Sequence, residues 1–193
     1  MKNATIKITP DYNTEDPRTA WDNAGKMVCQ HSDYSLGDND AIETLKSDIE
    51  DFKSDVEIYD YHDLGDLYDI AVEIGLFAVV LPLYLYDHSG LTLSTSRQST
   101  WDSSCIGFIY MTDADLQKEG IDKETAERLL LSEIDIYDMY VRGDVYHFMI
   151  EDEFGDEIDS CGGFYGTDIE TNGMLDYIDE DLHDLARNTE ISY

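Results

Sequence analysis

Basic residues are scarce in this sequence. Its 193 residues include 12 Lys and Arg against 44 Asp and Glu, which gives a formal net charge of −32 at pH 7 and an isoelectric point near 4.1. A chain with that charge repels the phosphates of DNA and RNA and the surface of an anionic membrane. The composition therefore excludes direct binding to nucleic acid or to anionic lipid.

Cysteines and long hydrophobic runs are also few. The three cysteines, Cys29, Cys105 and Cys161, form no close C-x-x-C pair, so the sequence predicts neither a disulfide framework nor a structural zinc site. The longest apolar run, Ile74 to Tyr86, is interrupted by glycine and proline and falls short of the ~20 residues of a membrane span. The first residues lack the apolar segment of a signal peptide. We expect a protein of a reducing cytoplasm with no membrane segment.

The apolar content is nevertheless ordinary. Hydrophobic residues make up 42% of the chain and aromatic residues 11%, which is enough to form a core and argues against a disordered acidic tail. The length predicts a single domain, residues 1–193. Because the acids are spread from Asp11 to Glu190, we expect them to coat the surface of that folded domain.

Hydrophobic periodicity predicts the elements of the fold. Apolar residues at steps of three and four indicate an amphipathic helix from Asp40 to Val56, a second from about Asp63 to Glu73 and a final one from Met174 to Leu185. Thr112 or Asp113 is predicted to cap a short helix, and Asp122 is predicted to cap a longer one that ends at Arg142. Trp21, Met27 and Val28 are predicted to lie in the core, and the strands are predicted at Thr5–Ile8, Leu76–Tyr86, Leu91–Ser94, Ile106–Met111, Val145–Glu151 and Glu157–Cys161.

Strict alternation of strands and helices is missing from this order. That excludes a doubly wound parallel sheet and favours an α+β fold. We predict a mainly antiparallel sheet of about five to six strands with three to five packed acidic helices.

Enzymatic motifs are weak. Cys29 and His31 would supply only two of the three or four ligands that zinc needs, and a polar turn explains Asp87-His88-Ser89 better than a catalytic triad does. The glycine-rich segment Cys161–Gly166 lacks the Lys-Ser/Thr of a phosphate-binding loop. With 44 acids, a close pair of carboxylates carries little information, so a carboxylate-based hydrolase remains the less favoured reading. We predict no enzyme, no metal and no cofactor.

The charge itself predicts a function. A small domain needs a net charge of only about 2 to 8 for solubility, so −32 requires another reason. Duplex DNA carries one negative charge per about 1.7 Å of its axis, and proteins bind it through basic grooves. A rigid protein with dense carboxylates can occupy such a groove, and short Asp side chains hold that charge close to the backbone. We therefore predict a nucleic-acid mimic that binds a basic nucleic-acid-binding protein.

The predicted contacts lie on the acidic helix faces. Asp60, Asp63, Asp66 and Asp69 recur at three-residue steps and are expected to form a slanting row on one helix. A second patch is expected on the final helix. The complete set of predicted partner contacts is Asp48, Asp51, Asp55, Asp60, Asp63, Asp66, Asp69, Asp176, Asp179, Glu180 and Asp184.

A resemblance supplies a biological setting. It is carried by a series of short blocks along the chain, which are Pro17-Arg18, Trp21-Asp22-Asn23, Gly25, Met27-Val28-Cys29, His31, Tyr34, Leu36-Gly37-Asp38, Leu83 to Gly90, Trp101-Asp102-Ser103, Gly107-Phe108-Ile109-Tyr110, Gly143-Asp144-Val145-Tyr146, Asp159-Ser160-Cys161 and Gly163-Phe164-Tyr165-Gly166. Through these blocks the sequence resembles a family of small, mostly uncharacterised proteins encoded by phages and mobile elements, although Gly162 stands where that family has Trp. The resemblance implies a role against host defence, since acidic proteins of that origin include antirestriction and anti-CRISPR proteins that imitate DNA.

Two other interpretations of the charge are open. Proteins adapted to concentrated salt also carry acidic surfaces, and an acidic adaptor could bind a basic host protein without imitating nucleic acid. The favoured partner is a CRISPR or restriction nuclease, and a homodimer that extends the charged surface is also open.

Overall fold

The computed structural model describes residues 4–56, 58, 61, 63–88, 90–97 and 103–192. The chain divides into two compact units. We call residues 17–138 the central unit, and residues 1–16 together with 139–193 the terminal unit. That residues 1–193 form a single domain stays a prediction.

The predicted strands are present in their predicted order, and a short helix at Pro17–Ala20 and a strand at Lys26–Cys29 were not predicted. The strands are β1 Thr5–Pro10, β2 Lys26–Cys29, β3 Phe77–Asp87, β4 Leu91–Ser94, β5 Ser103–Thr112, β6 Val145–Glu151 and β7 Glu157–Tyr165. The helices are α1 Pro17–Ala20, α2 Ala41–Phe52, α3 Leu64–Ile74, α4 Asp113–Glu119, α5 Lys123–Arg142 and α6 His183–Arg187, with 3₁₀ turns at Met174–Tyr177 and Glu180–Leu182. Among the described residues, no helix combines the length and the apolar character needed to cross a bilayer.

The α+β class and the antiparallel pairing are confirmed. The strands of the described chain form two sheets, one in each unit. The central unit holds a four-stranded sheet in the order β2-β5-β3-β4, and the terminal unit a three-stranded sheet in the order β1-β6-β7. Every pair of neighbouring strands is antiparallel.

The central sheet has helices on both faces. Phe108 and Tyr110 on β5 join a core with the buried residues of α2 and α3. Ile109, between them, points to the opposite face because side chains alternate along a strand. There a Cβ atom on Gly25 would lie 2.2 Å from a methyl carbon of Leu130 on α5 and 2.8 Å from one of Ile109. Gly25 therefore allows α5 to pack closely against the sheet.

Helix α2 is shorter than its apolar pattern predicts. Ala41, Leu45 and Ile49, at steps of four residues, are buried. Phe52, predicted to continue this stripe, is 52% exposed, and Val56 lies beyond the end of the helix. Elsewhere in the central unit, the prediction that Trp21 enters the core is wrong, since its side chain is 47% exposed.

The capped helices match their predictions. Helix α3 begins after Asp63, whose side chain accepts hydrogen bonds from the first turn, and ends at Gly75 with a φ of 77°. Thr112 caps α4 through a reciprocal capping box with Asp115. Asp122 caps α5 by accepting a hydrogen bond of 2.8 Å from the backbone N–H of Thr125. Local side-chain chemistry fixes these boundaries.

The terminal unit contradicts one helix prediction. The continuous helix expected from Met174 to Leu185 is wrong, because the segment is two 3₁₀ turns followed by the short helix α6. Ile178 and Asp179 are extended, each with a ψ of 136°, and they separate the turns. The apolar residues still reach the core, since Met174, Ile178 and Leu182 are buried against the face of the sheet formed by β1, β6 and β7. Burial, rather than helical continuity, explains their spacing.

Candidate acidic interface

The predicted contact residues fall into separate groups. Asp60 lies outside the described residues. One group lies on or near α2 and α3 in the central unit, and the other lies along the 3₁₀ turns and α6 of the terminal unit. The two groups of acids therefore belong to different units of the chain.

Asp48, on α2, is tied to the interior of the central unit. Its Oδ2 atom lies 2.8 Å from Nζ of Lys26 and accepts a hydrogen bond of 2.7 Å from the hydroxyl of Tyr110. The same lysine lies 3.1 Å from Asp115 on α4, and the Asp48 side chain is only 21% exposed. The structure therefore places Asp48 in an internal ion-pair cluster, away from the outward surface that the sequence predicted for it.

Burial and pairing shift the pKa values within this cluster. Burial by itself lowers the pKa of Lys26, but its pairs with Asp48 and Asp115 outweigh that effect and raise it. For Asp115, burial would raise the pKa, whereas hydrogen bonds from Thr112 and the charge of Lys26 lower it. Burial and the hydrogen bond to Asp48 raise the pKa of Tyr110. The cluster therefore favours the charged forms of Lys26 and Asp115.

The remaining predicted contacts on or near α2 and α3 are exposed. We call Asp51, Asp55, Asp63, Asp66 and Asp69 the α2–α3 acidic surface. Among the residues that the structure describes, no basic side chain forms an ion pair with any of the five. Both helices pack on the same core and on the same face of the central sheet. These five carboxylates therefore carry charge that no basic side chain of the described residues neutralises.

The predicted slanting row is only partly helical. Asp66 and Asp69 lie within α3, about 4.5 Å apart along its axis at 1.5 Å per residue. Asp63 is instead the residue before the helix, with an extended backbone of φ −83° and ψ 130°. Its carboxylate accepts a hydrogen bond of 2.8 Å from the N–H of Gly65. Asp63 thus adds charge to this surface from the N-terminal end of the helix.

The acids of the terminal unit lie on a less regular backbone. Asp176, Asp179, Glu180 and Asp184 are all exposed, but two 3₁₀ turns and α6 carry them in place of one helix. Asp184 is also 3.4 Å from Arg187, which pairs in turn with Glu170 at 2.6 Å. This group is therefore partly neutralised and does not form one helical face.

Sequence reasoning missed a buried charge cluster around Arg18. The Arg18 side chain is 1% exposed and forms ion pairs of 2.7 Å with both Asp38 and Glu133. It also donates a hydrogen bond to the carbonyl of Gly25, while Glu133 accepts from the N–H of Ala24 at 2.9 Å. Pro17-Arg18, Gly25 and Leu36-Gly37-Asp38 are among the blocks that carry the family resemblance, so those blocks have a structural role here. An arginine in a sequence with so few basic residues is the signal that could have indicated this buried cluster.

The structure gives little support to the metal-site and triad motifs of the sequence. Partial burial raises the pKa of the Cys29 thiol to about 12, which disfavours the thiolate that a metal would require. Asp87 accepts a hydrogen bond of 2.9 Å from the hydroxyl of Tyr34, and Ser89 lies outside the described residues. No group of three His, Cys, Asp or Glu side chains in the described chain could hold a metal ion.

Comparisons with protein-family models, with curated proteins and with solved structures found no match. The function must therefore be argued from the site itself.

Proposed function

We propose that this protein is an anti-defence inhibitor that imitates nucleic acid and blocks the DNA- or RNA-binding groove of a host defence nuclease. The observation that carries the proposal is the α2–α3 acidic surface. It holds five exposed aspartates, of which three lie on the packed helices α2 and α3 and two, Asp55 and Asp63, lie close to their ends. None of the five forms an ion pair with a basic side chain of the described chain. Inhibition would be stoichiometric, with no turnover and no cofactor.

The rigid placement of the carboxylates favours imitation of nucleic acid over a role that depends on excess charge alone. Both helices are anchored by buried side chains, including Leu45 and Ile49 of α2 and Leu67 of α3. The Asp side chain is short, so its charge stays close to the helix that carries it. A basic groove would therefore meet carboxylates in fixed positions, as it meets the phosphates of a duplex.

The resemblance to proteins of phages and mobile elements supports the setting of this proposal. A protein of that origin would act in the cytoplasm of the host, on a CRISPR or restriction nuclease. The resemblance supports the setting only, because its blocks include the buried residues around Arg18, whereas the α2–α3 acidic surface lies outside them.

The spread of charge favours a second candidate. The terminal unit has 18 acidic and 4 basic residues, a net charge of −14, and the central unit has 26 and 8, a net charge of −18. Acid on both units is what adaptation to concentrated salt would produce. In that case the protein is an acidic adaptor of a basic host protein and does not imitate nucleic acid.

Competition for a nucleic-acid groove tests the proposal. The pure protein is added to a panel of host defence nucleases bound to a labelled target duplex, over salt concentrations from low to physiological. Mimicry predicts that the duplex is displaced and that added salt weakens this competition, because both ligands bind through charge. If every nuclease keeps its duplex while one of them still binds the protein, the adaptor is correct.

A further inference from the structure

A cavity of about 450 Å³ lies beside the α2–α3 acidic surface, entirely within the central unit. Its walls are part apolar and part polar, and the apolar part includes Tyr68, Val80, Pro82 and Phe108. Two aspartates of the acidic surface, Asp63 and Asp69, also line it. The cavity thus combines an apolar interior with carboxylates.

The cavity does not suit an anion, although the N-terminus of α3 faces it. The first N–H groups of a helix attract anions only when they are unpaired. Here the N–H of Leu64 donates to the side chain of Gln30 at 3.2 Å, and those of Gly65 and Asp66 donate to Asp63. The N–H of Leu67 donates to the Asp63 carbonyl at 3.3 Å. The whole first turn is therefore satisfied, and two carboxylates would repel an anion.

We propose that this cavity binds a guanidinium group on an apolar stem, the arginine side chain of a basic protein partner. The stem would contact Val80 and Pro82, and the planar guanidinium would stack on Tyr68 while pairing with Asp63 or Asp69. Arginine suits such a site better than lysine, since its charge is delocalised and more weakly hydrated. This inference rests on the proposed function for its partner, and it adds an anchoring contact to a surface that otherwise acts through spread charge.

The direct test uses the isolated protein and a capped Gly-Arg-Gly tripeptide, followed by backbone amide shifts in NMR. We expect saturable shifts centred on Gly65, Tyr68 and Gly107, with millimolar affinity. The matched tripeptide with citrulline has the same shape without the charge, and we expect it to bind at least about tenfold more weakly. Equal shifts with both peptides, or shifts spread over the whole protein, would overturn the proposal.

Two charge-matched variants separate the cavity from bulk electrostatics. Asp63→Asn with Asp69→Asn removes both lining charges, and Asn still caps α3. We expect this variant to bind the arginine peptide about tenfold more weakly. Asp51→Asn with Asp55→Asn removes the same charge from acids that do not line the cavity, and we expect a change of less than about twofold at physiological salt. Equal losses in the two variants would contradict a specific site.

Cys105 provides a readout that does not depend on NMR. It is exposed and lines the cavity, so the bound arginine peptide should slow its alkylation by iodoacetamide, with Cys161→Ser as the background. An unchanged rate at saturating peptide would count against the site. Because no nuclease is present, this proposal can fail while competition for the groove succeeds, and it can succeed while that competition fails.

Discussion

The central unit contains two sets of carboxylates that the sequence does not distinguish. The interior carboxylates, Asp38, Asp48, Asp115 and Glu133, are each at most 24% exposed and pair with Arg18 or Lys26. The α2–α3 acidic surface is exposed and has no such pairs within the described chain. The same residue types therefore hold the fold together in one place and present charge to a partner in the other. Substitutions in the two sets of carboxylates can separate these two roles.

The largest effect is expected at Glu133. Glu133→Ala leaves Arg18 with one carboxylate fewer in a site where its side chain is 1% exposed, and it removes the acceptor of Ala24 and Gly25. Breaking a buried pair from one side costs about 3 to 5 kcal/mol. Urea unfolding should show that loss in the free energy of unfolding. A loss below about 1 kcal/mol would mean that the cluster behaves like a surface ion pair.

A smaller effect is expected at Asp48, with Asp51 on the same helix as its control. Asp48→Ala removes one of the two carboxylate partners of Lys26 and the acceptor of the Tyr110 hydroxyl, which should cost about 1 to 3 kcal/mol. Asp51→Ala makes the same substitution at an exposed position of α2, and thermal unfolding should show little change. Similar losses of stability in both variants would show that Asp48 and Asp51 contribute equally to the fold, and would contradict the division into interior and surface carboxylates.

The contribution of Asp115 should depend on pH. Its pKa is lowered in the folded protein, so the stability it adds is complete above the unfolded value of about 3.9. That stability is lost as the pH falls through the lowered folded pKa. The difference in unfolding free energy between wild type and Asp115→Asn should be constant from pH 7 to about 5 and shrink below about 4. A difference that grows with acid would contradict the pairing.

The smallest effect on stability is expected from the surface. Asp66→Lys reverses an exposed charge on α3 and should change the unfolding free energy by no more than about 0.5 kcal/mol. The gain from relieved repulsion among neighbouring acids is opposed by the loss of a negative charge in the first turn of α3, where the helix dipole favours one. A loss above about 1 kcal/mol would show that this surface also supports the fold.

Periodicity and capping predict most of the fold because they act locally. The predicted capping residues Thr112 and Asp122 mark helix starts that the structure confirms. The predicted helix from Met174 to Leu185 failed because burial at steps of four residues does not require continuous helix. Asp48 was expected on an outward face but pairs inward, with Lys26 and Tyr110, which are 22 and 62 residues away in sequence. Pairings over such separations depend on the tertiary fold and leave no periodic signal.

The central claim is that charge placed on α2 and α3 matters more than total charge. Two variants with equal net charge test it in the nuclease competition. One replaces Asp51, Asp55, Asp66 and Asp69 by Asn, and the other replaces Asp176, Asp179, Glu180 and Asp184 by their amides. We predict that the first loses competition by about tenfold or more, since several fixed charges leave the interface, while the second stays within about twofold of wild type. Equal losses in both variants would show that net charge alone acts, and would contradict the account.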